Sequence, residues 1–343
     1  MTTSQTSTRP DGADPDRATP DQHGNRRMSG FWRSIPGFGR PTIRFVHRWA
    51  IALLVSNVGI VATGGAVRVT GSGLGCPTWP RCTDDSFVPH GELGIHGAIE
   101  FGNRMLTWVL IIIAIATWIA VLRYAGSARR DKWLVTLIAL GIPFQGVIGG
   151  ITVLTDLNPW VVALHFILSM ILVSAATVLV FRMRPYPTPT EPAPADTDTP
   201  GMATRRLGIY LAWLLYAVTW VTIYLGTVVT GSGPHAGDVD APRNGLDPDN
   251  ATQLHADAVF VLVGLGLAAL VYARVFARPQ QRSAQVFVGL LALQGVIGFV
   301  QYFTDLPVAL VIAHMFGSAL LLIGATWQVL VARATDQPRV DVA

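Results

Sequence analysis

Four histidines lie within long apolar segments of the sequence, one in each of four segments. They are His96, His165, His255 and His314. Lipid makes an ionisable side chain costly, so residues of this kind usually face the interior of a helix bundle and serve a function. Two imidazoles on facing helices can hold one haem iron from opposite sides, and helix bundles often provide that arrangement. The pattern favours haem ligation over a proton relay or hydrogen bonds that only join helices.

A carboxylate accompanies the first histidine. His96, Glu100 and Asn103 are spaced i, i+4 and i+7, so they share one face of a helix. We predict Glu100 to be a catalytic acid/base or charge-stabilising group beside a reactive ligand. The alternative is an ion pair with Arg104, which stands at the favourable i+4 spacing. The matching position later in the chain is Val259, which suggests that one half reacts and the other transfers electrons.

Two cysteines and two arginines lie near the outer ends of these segments. Cys76 and Cys82 are six residues apart in a loop on the oxidising side, which favours a structural or redox-active disulfide. A metal site is the alternative, although two thiolates do not complete a tetrahedral zinc site. Arg68 and Arg104 are candidate haem contacts. For Arg68 the equal alternative is an ordinary arginine at the membrane interface.

Transmembrane helices are the elements that must position these residues. Hydrophobic residues make up 51% of the chain and charged residues only 13%, about half the charged share of a typical soluble domain. About 20 apolar residues suffice to cross a membrane as a helix, and lipid requires the backbone to satisfy its own hydrogen bonds. We therefore predict an all-α integral membrane protein. Its eight helices are expected at residues 42–67, 94–122, 132–153, 159–181, 207–230, 254–274, 284–303 and 307–332.

The charges predict how the chain is oriented. Arginines and lysines gather in alternate loops, which should be cytoplasmic, while aspartates gather in the others. Both termini are then cytoplasmic in a multi-pass protein of the plasma membrane. The net charge of +4 reflects this topology and not a nucleic-acid site. The expected parts are a disordered N-terminus (1–41), a four-helix half (42–181), a cytoplasmic linker (182–206), a second four-helix half (207–332) and a cytoplasmic tail (333–343).

The chain repeats itself. Gln-Gly-Val-Ile-Gly at 145–149 recurs at 294–298, Thr-Asp-Leu at 155–157 recurs at 304–306, and His165 recurs as His314, all at an offset of 149. Thr-Gly-Ser-Gly at 70–73 recurs at 230–233, an offset of 160, and His96 matches His255 at 159. Each unit has four crossings, so the two halves should be parallel repeats related by an axis along the membrane normal.

Two segments resemble a known family, the bacterial haem A synthases. Residues 64–82, Gly-Gly-Ala-Val-Arg-Val-Thr-Gly-Ser-Gly-Leu-Gly-Cys-Pro-Thr-Trp-Pro-Arg-Cys, are similar to the first outer segment of that family. Residues 100–104, Glu-Phe-Gly-Asn-Arg, resemble its Glu-x-x-His-Arg motif. The resemblance covers roughly residues 42–332. It implies oxidation of the methyl group at ring carbon 8 of haem O to a formyl group, giving haem A for cytochrome oxidase.

The resemblance also implies roles for single residues. The N-terminal half would hold the substrate, haem O, with His165 as an iron ligand, and the C-terminal half would hold a haem b. His255 and His314 would ligate haem b, Glu100 would be the required carboxylate, and Cys76 and Cys82 the outer-loop pair. A haem O synthase and an unidentified electron donor are the expected partners, and a homo-oligomer is compatible with the sequence. The rival functions are a di-haem electron-transfer protein without substrate chemistry and a haem or quinone carrier.

One residue departs from the family motif. Asn103 stands where the family has a histidine, and asparagine is a poor haem ligand. Either the substrate iron has one protein ligand, or His96 takes the place of the missing one. His96 lies seven residues earlier, about 10 Å along a helix axis, but its match to His255 favours a ligand role.

Overall fold

A computed structural model describes residues 37–185 and 201–334. In this part of the chain, eight helices are long and apolar enough to cross a membrane, which confirms the predicted fold class. They are α1 (Ile43–Val69), α2 (Gly94–Arg123), α3 (Arg129–Leu154), α4 (Pro159–Arg182), α5 (Met202–Ser232), α6 (Pro248–Phe276), α7 (Arg278–Phe303) and α8 (Val308–Ala334). A single 3-10 turn, Gly91–Leu93, precedes α2. Most of the predicted N-terminus, linker and tail lies outside the described residues.

Local signals in the sequence set several helix starts. The Thr42 hydroxyl accepts a hydrogen bond from the backbone N–H of Phe45 and caps α1. The side chain of Asp247 caps α6 in the same way, and Pro248 follows at the first helical position. Helices of 24 to 31 residues are about 36 to 46 Å long at 1.5 Å per residue. That length exceeds a hydrocarbon core of about 30 Å, so each end reaches the interface.

The helices form two rings of four. α1, α2, α3 and α4 pack in that cyclic order, and α5, α6, α7 and α8 pack in the same order. The two rings meet where α1 and α4 contact α8 and α4 contacts α5. The identical neighbour order agrees with a duplicated unit, but the repeat itself stays a prediction. The peripheral helices α2, α3, α6 and α7 carry many exposed apolar side chains, as expected of surfaces that face lipid.

A buried apolar cluster joins the two rings. It brings together Val61 of α1, Met170 of α4, Ile223 of α5 and Leu322 of α8. A polar contact lies within the same interface: the Ser174 hydroxyl is 3.0 Å from the Tyr216 hydroxyl and 3.1 Å from that of Thr326. Hydroxyls that bond each other across helices satisfy groups that lipid and apolar side chains would leave unpaired.

Candidate functional site

The C-terminal ring contains two of the predicted histidines. His255 lies on α6 and His314 on α8, two helices that do not contact each other and that both pack against α5 and α7 in the ring. The Nδ1 atom of His255 is 3.0 Å from the Thr222 carbonyl oxygen of α5. A hydrogen bond to that oxygen requires Nδ1 to carry the proton, which leaves Nε2 of His255 as the free electron pair for a metal.

Glycines make room beside three of the histidines. A Cβ atom added at Gly226 would lie 3.3 Å from Cε1 of His255, and one at Gly298 would lie 3.5 Å from Cε1 of His314. In the N-terminal ring, a Cβ at Gly149 would lie 3.3 Å from Cε1 of His165. Each imidazole therefore stands against bare backbone, and larger residues at these positions would crowd the ring.

The N-terminal ring presents one imidazole and one amide. His165 of α4 has a buried Nδ1 atom without a hydrogen-bond partner, and so does His314. Asn103 of α2 accepts a hydrogen bond at Oδ1 from the Thr63 hydroxyl of α1, at 2.7 Å. Its Nδ2 atom lies 4.0 Å from the position of a Cβ on Gly64.

His96 does not lie at the depth of His255. Its Nδ1 atom is 2.9 Å from the Ser72 hydroxyl, beyond the outer end of α1, and the side chain is exposed. When the repeated Thr-Gly-Ser-Gly segments are aligned at their offset of 160 residues, Thr222, the partner of His255, corresponds to Ala62. On that predicted register, the α2 residue with the corresponding contact is Asn103, which is bonded to Thr63. His96 thus contacts a residue beyond the end of α1, whereas His255 contacts a residue within α5, and their pairing stays a prediction.

Glu100 and Arg104 hold the first outer loop. Glu100 is 5% exposed, and its Oε2 accepts the backbone N–H of Cys76 at 2.7 Å. Its Oε1 accepts hydrogen bonds from Nε and from a terminal nitrogen of Arg104, at 3.0 and 2.5 Å. Arg104 also donates to the carbonyls of Arg81, Cys76 and Thr78, each at 3.0 Å. The ion pair foreseen as the alternative for Glu100 is thus present, and it anchors a loop.

That loop contains the disulfide. Cys76 and Cys82 are bonded, as predicted, and both are fully buried. The loop packs against α3, because the ring of Trp79 lies over Gly150 so closely that a Cβ there would overlap the indole. Gly75 lies against the backbone of His96 in the same close manner. The loop therefore covers the outer ends of α2 and α3.

Arg68, near the C-terminal end of α1, joins the two rings at the C-terminal end of α5. Its Nε donates to the carbonyl of His235 at 2.8 Å and a terminal nitrogen donates to that of Thr230 at 3.1 Å. Nearby, the Gly73 N–H donates to the Gly237 carbonyl at 2.8 Å, so the first and second outer loops touch. Leu157 packs between these two glycines. Arg68 is thus bonded to backbone oxygens, and a contact with a haem propionate stays a prediction.

These side chains fit haem better than a bare metal ion. Among the described residues, no group of three His, Cys, Asp or Glu side chains is placed to hold a metal ion. A haem supplies its own four nitrogen ligands and needs only axial groups, which one or two imidazoles can provide. The glycines beside the imidazoles of both rings place no side chain against them, which agrees with that need.

Several residues of the site were not identified from the sequence. Thr63, Thr222 and Ser72 position Asn103, His255 and His96, respectively. Gly149 and Gly298 are the final residues of the repeated Gln-Gly-Val-Ile-Gly motif. The repeat was therefore a signal for them, because a glycine retained in both copies of an apolar helix indicates a close approach. His235, in a polar stretch, has its Nε2 atom 3.0 Å from the Leu306 carbonyl oxygen.

Comparison with known proteins places these residues in a family. The chain is 26% identical over 287 residues to the heme A synthases of Listeria welshimeri serovar 6b and Listeria monocytogenes serotype 4a, covering 79% of this chain and 90% of each relative. It is 26% identical over 296 residues to the heme A synthase of Bacillus cereus, covering 79% of this chain and 88% of that protein. The family model for COX15-CtaA, described as cytochrome oxidase assembly protein, matches residues 47–98 and 91–237. Because these matches span more than half of the sequence, the chain belongs to the COX15-CtaA family of cytochrome oxidase assembly proteins.

Proposed function

We propose that this protein is a haem A synthase that oxidises the methyl group at ring carbon 8 of haem O to a formyl group. The relatives named heme A synthase support haem A biosynthesis in general. The observation that carries the proposal is the contrast between the two rings. One ring offers two imidazoles, His255 and His314, and the other offers His165 and the amide of Asn103. Unlike haem sites suit a resident haem b beside a haem that is the substrate.

The reaction balances as two hydroxylations of one methyl carbon. Each hydroxylation consumes one dioxygen, two electrons and two protons and releases one water. The second product is a geminal diol, which loses water to leave the aldehyde. A bound haem iron supplies the one-electron and dioxygen chemistry. The electron donor is a separate reductant, whose electrons would pass through the C-terminal ring.

The residues of this chain would bind and orient the two haem groups. His165, with Gly149 beside it, would hold the substrate in the N-terminal ring, and His255 and His314 would hold haem b. The disulfide loop, fixed by Glu100 and Arg104, closes the outer ends of α2 and α3. Closure of this kind excludes bulk water from a reactive centre. In this arrangement Glu100 is a positioning residue, because both of its oxygens are engaged by the loop and Arg104.

That last observation favours the rival function, a di-haem electron-transfer protein. A carboxylate that only anchors a loop gives no reason to expect substrate chemistry. The deciding measurement is the pigment extracted from the purified protein after co-expression with a haem O synthase, identified by chromatography and mass. Haem A together with haem B supports the synthase. Haem B alone, with haem O demonstrably available and a reductant supplied, would establish the electron-transfer protein instead.

The proposal includes a location and partners. The protein would lie in the plasma membrane with both termini cytoplasmic, receive haem O from a haem O synthase and take electrons from a separate donor. Fusions of alkaline phosphatase to the C-terminus and to the 237–247 loop test the orientation. Phosphatase activity is expected only for the loop fusion, since that enzyme folds outside the cytoplasm. Activity at the C-terminus would contradict the proposed topology.

A further inference from the structure

The amide of Asn103 occupies the place in the N-terminal ring that an imidazole occupies in the C-terminal ring. His255 of α6 reaches α5 at Thr222, and Asn103 of α2 reaches α1 at Thr63. With the Thr-Gly-Ser-Gly register, Thr222 corresponds to Ala62, one residue from the contact of Asn103. On the other side, His165 and His314 face Gly149 and Gly298, which are matched residues of one motif.

His96 cannot supply the missing imidazole from where it lies. It is seven residues before Asn103, which is about 10 Å along α2. Its side chain is exposed and its Nδ1 atom contacts Ser72. The helix start at Gly94 and the close packing of its backbone against Gly75 fix this position. A shift of α2 by two turns would also break the Glu100 contact with the Cys76 loop.

The contact with Thr63 sets the orientation of the Asn103 amide. The Thr63 hydroxyl donates to Oδ1, so the oxygen is already used as an acceptor and points at α1. The two N–H groups of Nδ2 are then the donors that remain. A neutral amide is a weak ligand for haem iron compared with imidazole. An N–H donor on the side of a haem opposite its histidine favours binding of a small ligand.

We propose that His165 is the single protein ligand of the haem iron in the N-terminal ring, and that Asn103 leaves the opposite axial position open to a small exogenous ligand. The inference rests on the proposed function, in which each ring holds a haem. The C-terminal ring, with two imidazoles, stays closed to such ligands. The haem in the N-terminal ring would react with an oxidant at its open position. The haem held by two imidazoles in the C-terminal ring would deliver electrons.

Carbon monoxide binding to the reduced full-length protein tests this. The purified protein is loaded with haem to two per chain, as determined by a pyridine haemochrome assay, and is titrated with carbon monoxide while the Soret band is recorded. We expect one haem of the two to bind carbon monoxide and the other to keep a low-spin spectrum. Saturation of neither haem would overturn the proposal, because both irons would then have two protein ligands.

Two variants identify the haem that responds. Asn103→His is expected to abolish carbon monoxide binding by supplying the second imidazole, with haem content unchanged. His96→Asn is the matched control and should bind carbon monoxide as the wild type does. More carbon monoxide bound per chain in His96→Asn than in the wild type would show that His96 ligates, and would refute the assignment. If either variant fails to fold, saturation of neither haem in the wild type still refutes the proposal.

The readout separates this inference from the proposed function. Carbon monoxide binding by a protein that makes no haem A would leave the open site standing and reject the synthase. Haem A formation by a protein that binds no carbon monoxide would keep the synthase and reject the open site.

Discussion

Arg104→Ala is expected to loosen the first outer loop and expose its disulfide. Arg104 is the donor to the carbonyls of Cys76 and Thr78 and the ion-pair partner of Glu100. The variant leaves a carboxylate that is 5% exposed with one remaining partner, the Cys76 N–H. Removal of one member of a buried ion pair typically costs about 3 to 5 kcal/mol. Because Glu100 keeps that hydrogen bond, we expect the lower end, about 3 kcal/mol.

The rate at which dithiothreitol reduces the disulfide measures this cost. Both cysteines are fully buried, so reduction requires the loop to open first. When opening and closing are fast, a loss of about 3 kcal/mol raises the open population and the reduction rate by roughly a hundredfold. Alkylation of the freed thiols with a maleimide and mass analysis give that rate. Protein in mild detergent, at temperatures well below global unfolding, keeps the measurement local.

Arg81→Ala provides the matched control in the same loop. The Arg81 side chain is exposed and donates to the Asp84 carbonyl, so its loss should change the reduction rate by less than about threefold. Equal rates for the two variants, or a wild-type rate in Arg104→Ala, would refute the idea that the Glu100–Arg104 pair holds the loop. The ion pair would then be an incidental neighbour of a loop stabilised by its own packing.

The remaining predictions concern the glycine beside His314 and the contacts between the two rings. Gly298→Val should crowd His314 and lower the haem b content of the purified protein. Gly295→Val, in the same helix but where a Cβ meets open space, should retain the haem. Equal haem contents in the two variants would show that the glycine beside His314 does not matter for haem binding. Arg68→Ala should lower stability by about 1 to 3 kcal/mol, because two carbonyls lose their donor, and a melting curve should show no such loss for exposed Arg274→Ala. Ser174→Ala combined with Thr326→Val should show a coupling of about 0.5 to 1.5 kcal/mol in a double-mutant cycle; strict additivity would mean that the hydroxyl contact contributes nothing.

The sequence predicted the helices well where the apolar run and the helix have the same limits. α2 and α4 begin at Gly94 and Pro159, as predicted. α5, α6 and α7 begin at Met202, Pro248 and Arg278, five or six residues before the predicted 207, 254 and 284. Their first turns carry polar and charged residues, which lie at the interface and end an apolar run without ending a helix. Only capping signals mark such starts, and Asp247-Pro248 is one.

The candidate site was less predictable than the fold because it depends on the depth and rotation of packed helices. Histidines could be recognised from their cost in lipid, and the disulfide from two cysteines in one outer loop. Spacing along the chain could not predict the neighbour of His96, which is Ser72 in the loop after α1, because the loops before α2 and α6 differ in length. The loop-anchoring contacts of Glu100 depend on where the Cys76 backbone passes, which no local pattern contains.

The differences between the two rings gather on one helix. α2 carries Glu100, Asn103 and Arg104, and at the offset of 159 residues α6 carries Val259, Leu262 and Val263 in their places. α6 contacts α5 through His255, whereas α2 contacts α1 through Asn103. By contrast, α4 and α8 keep the same histidine opposite the same glycine of a shared motif. If each ring holds a haem, as proposed, a single helix would give the two sites different chemistry. α2 holds the loop that precedes it through Glu100 and Arg104, and it presents the amide of Asn103 to α1.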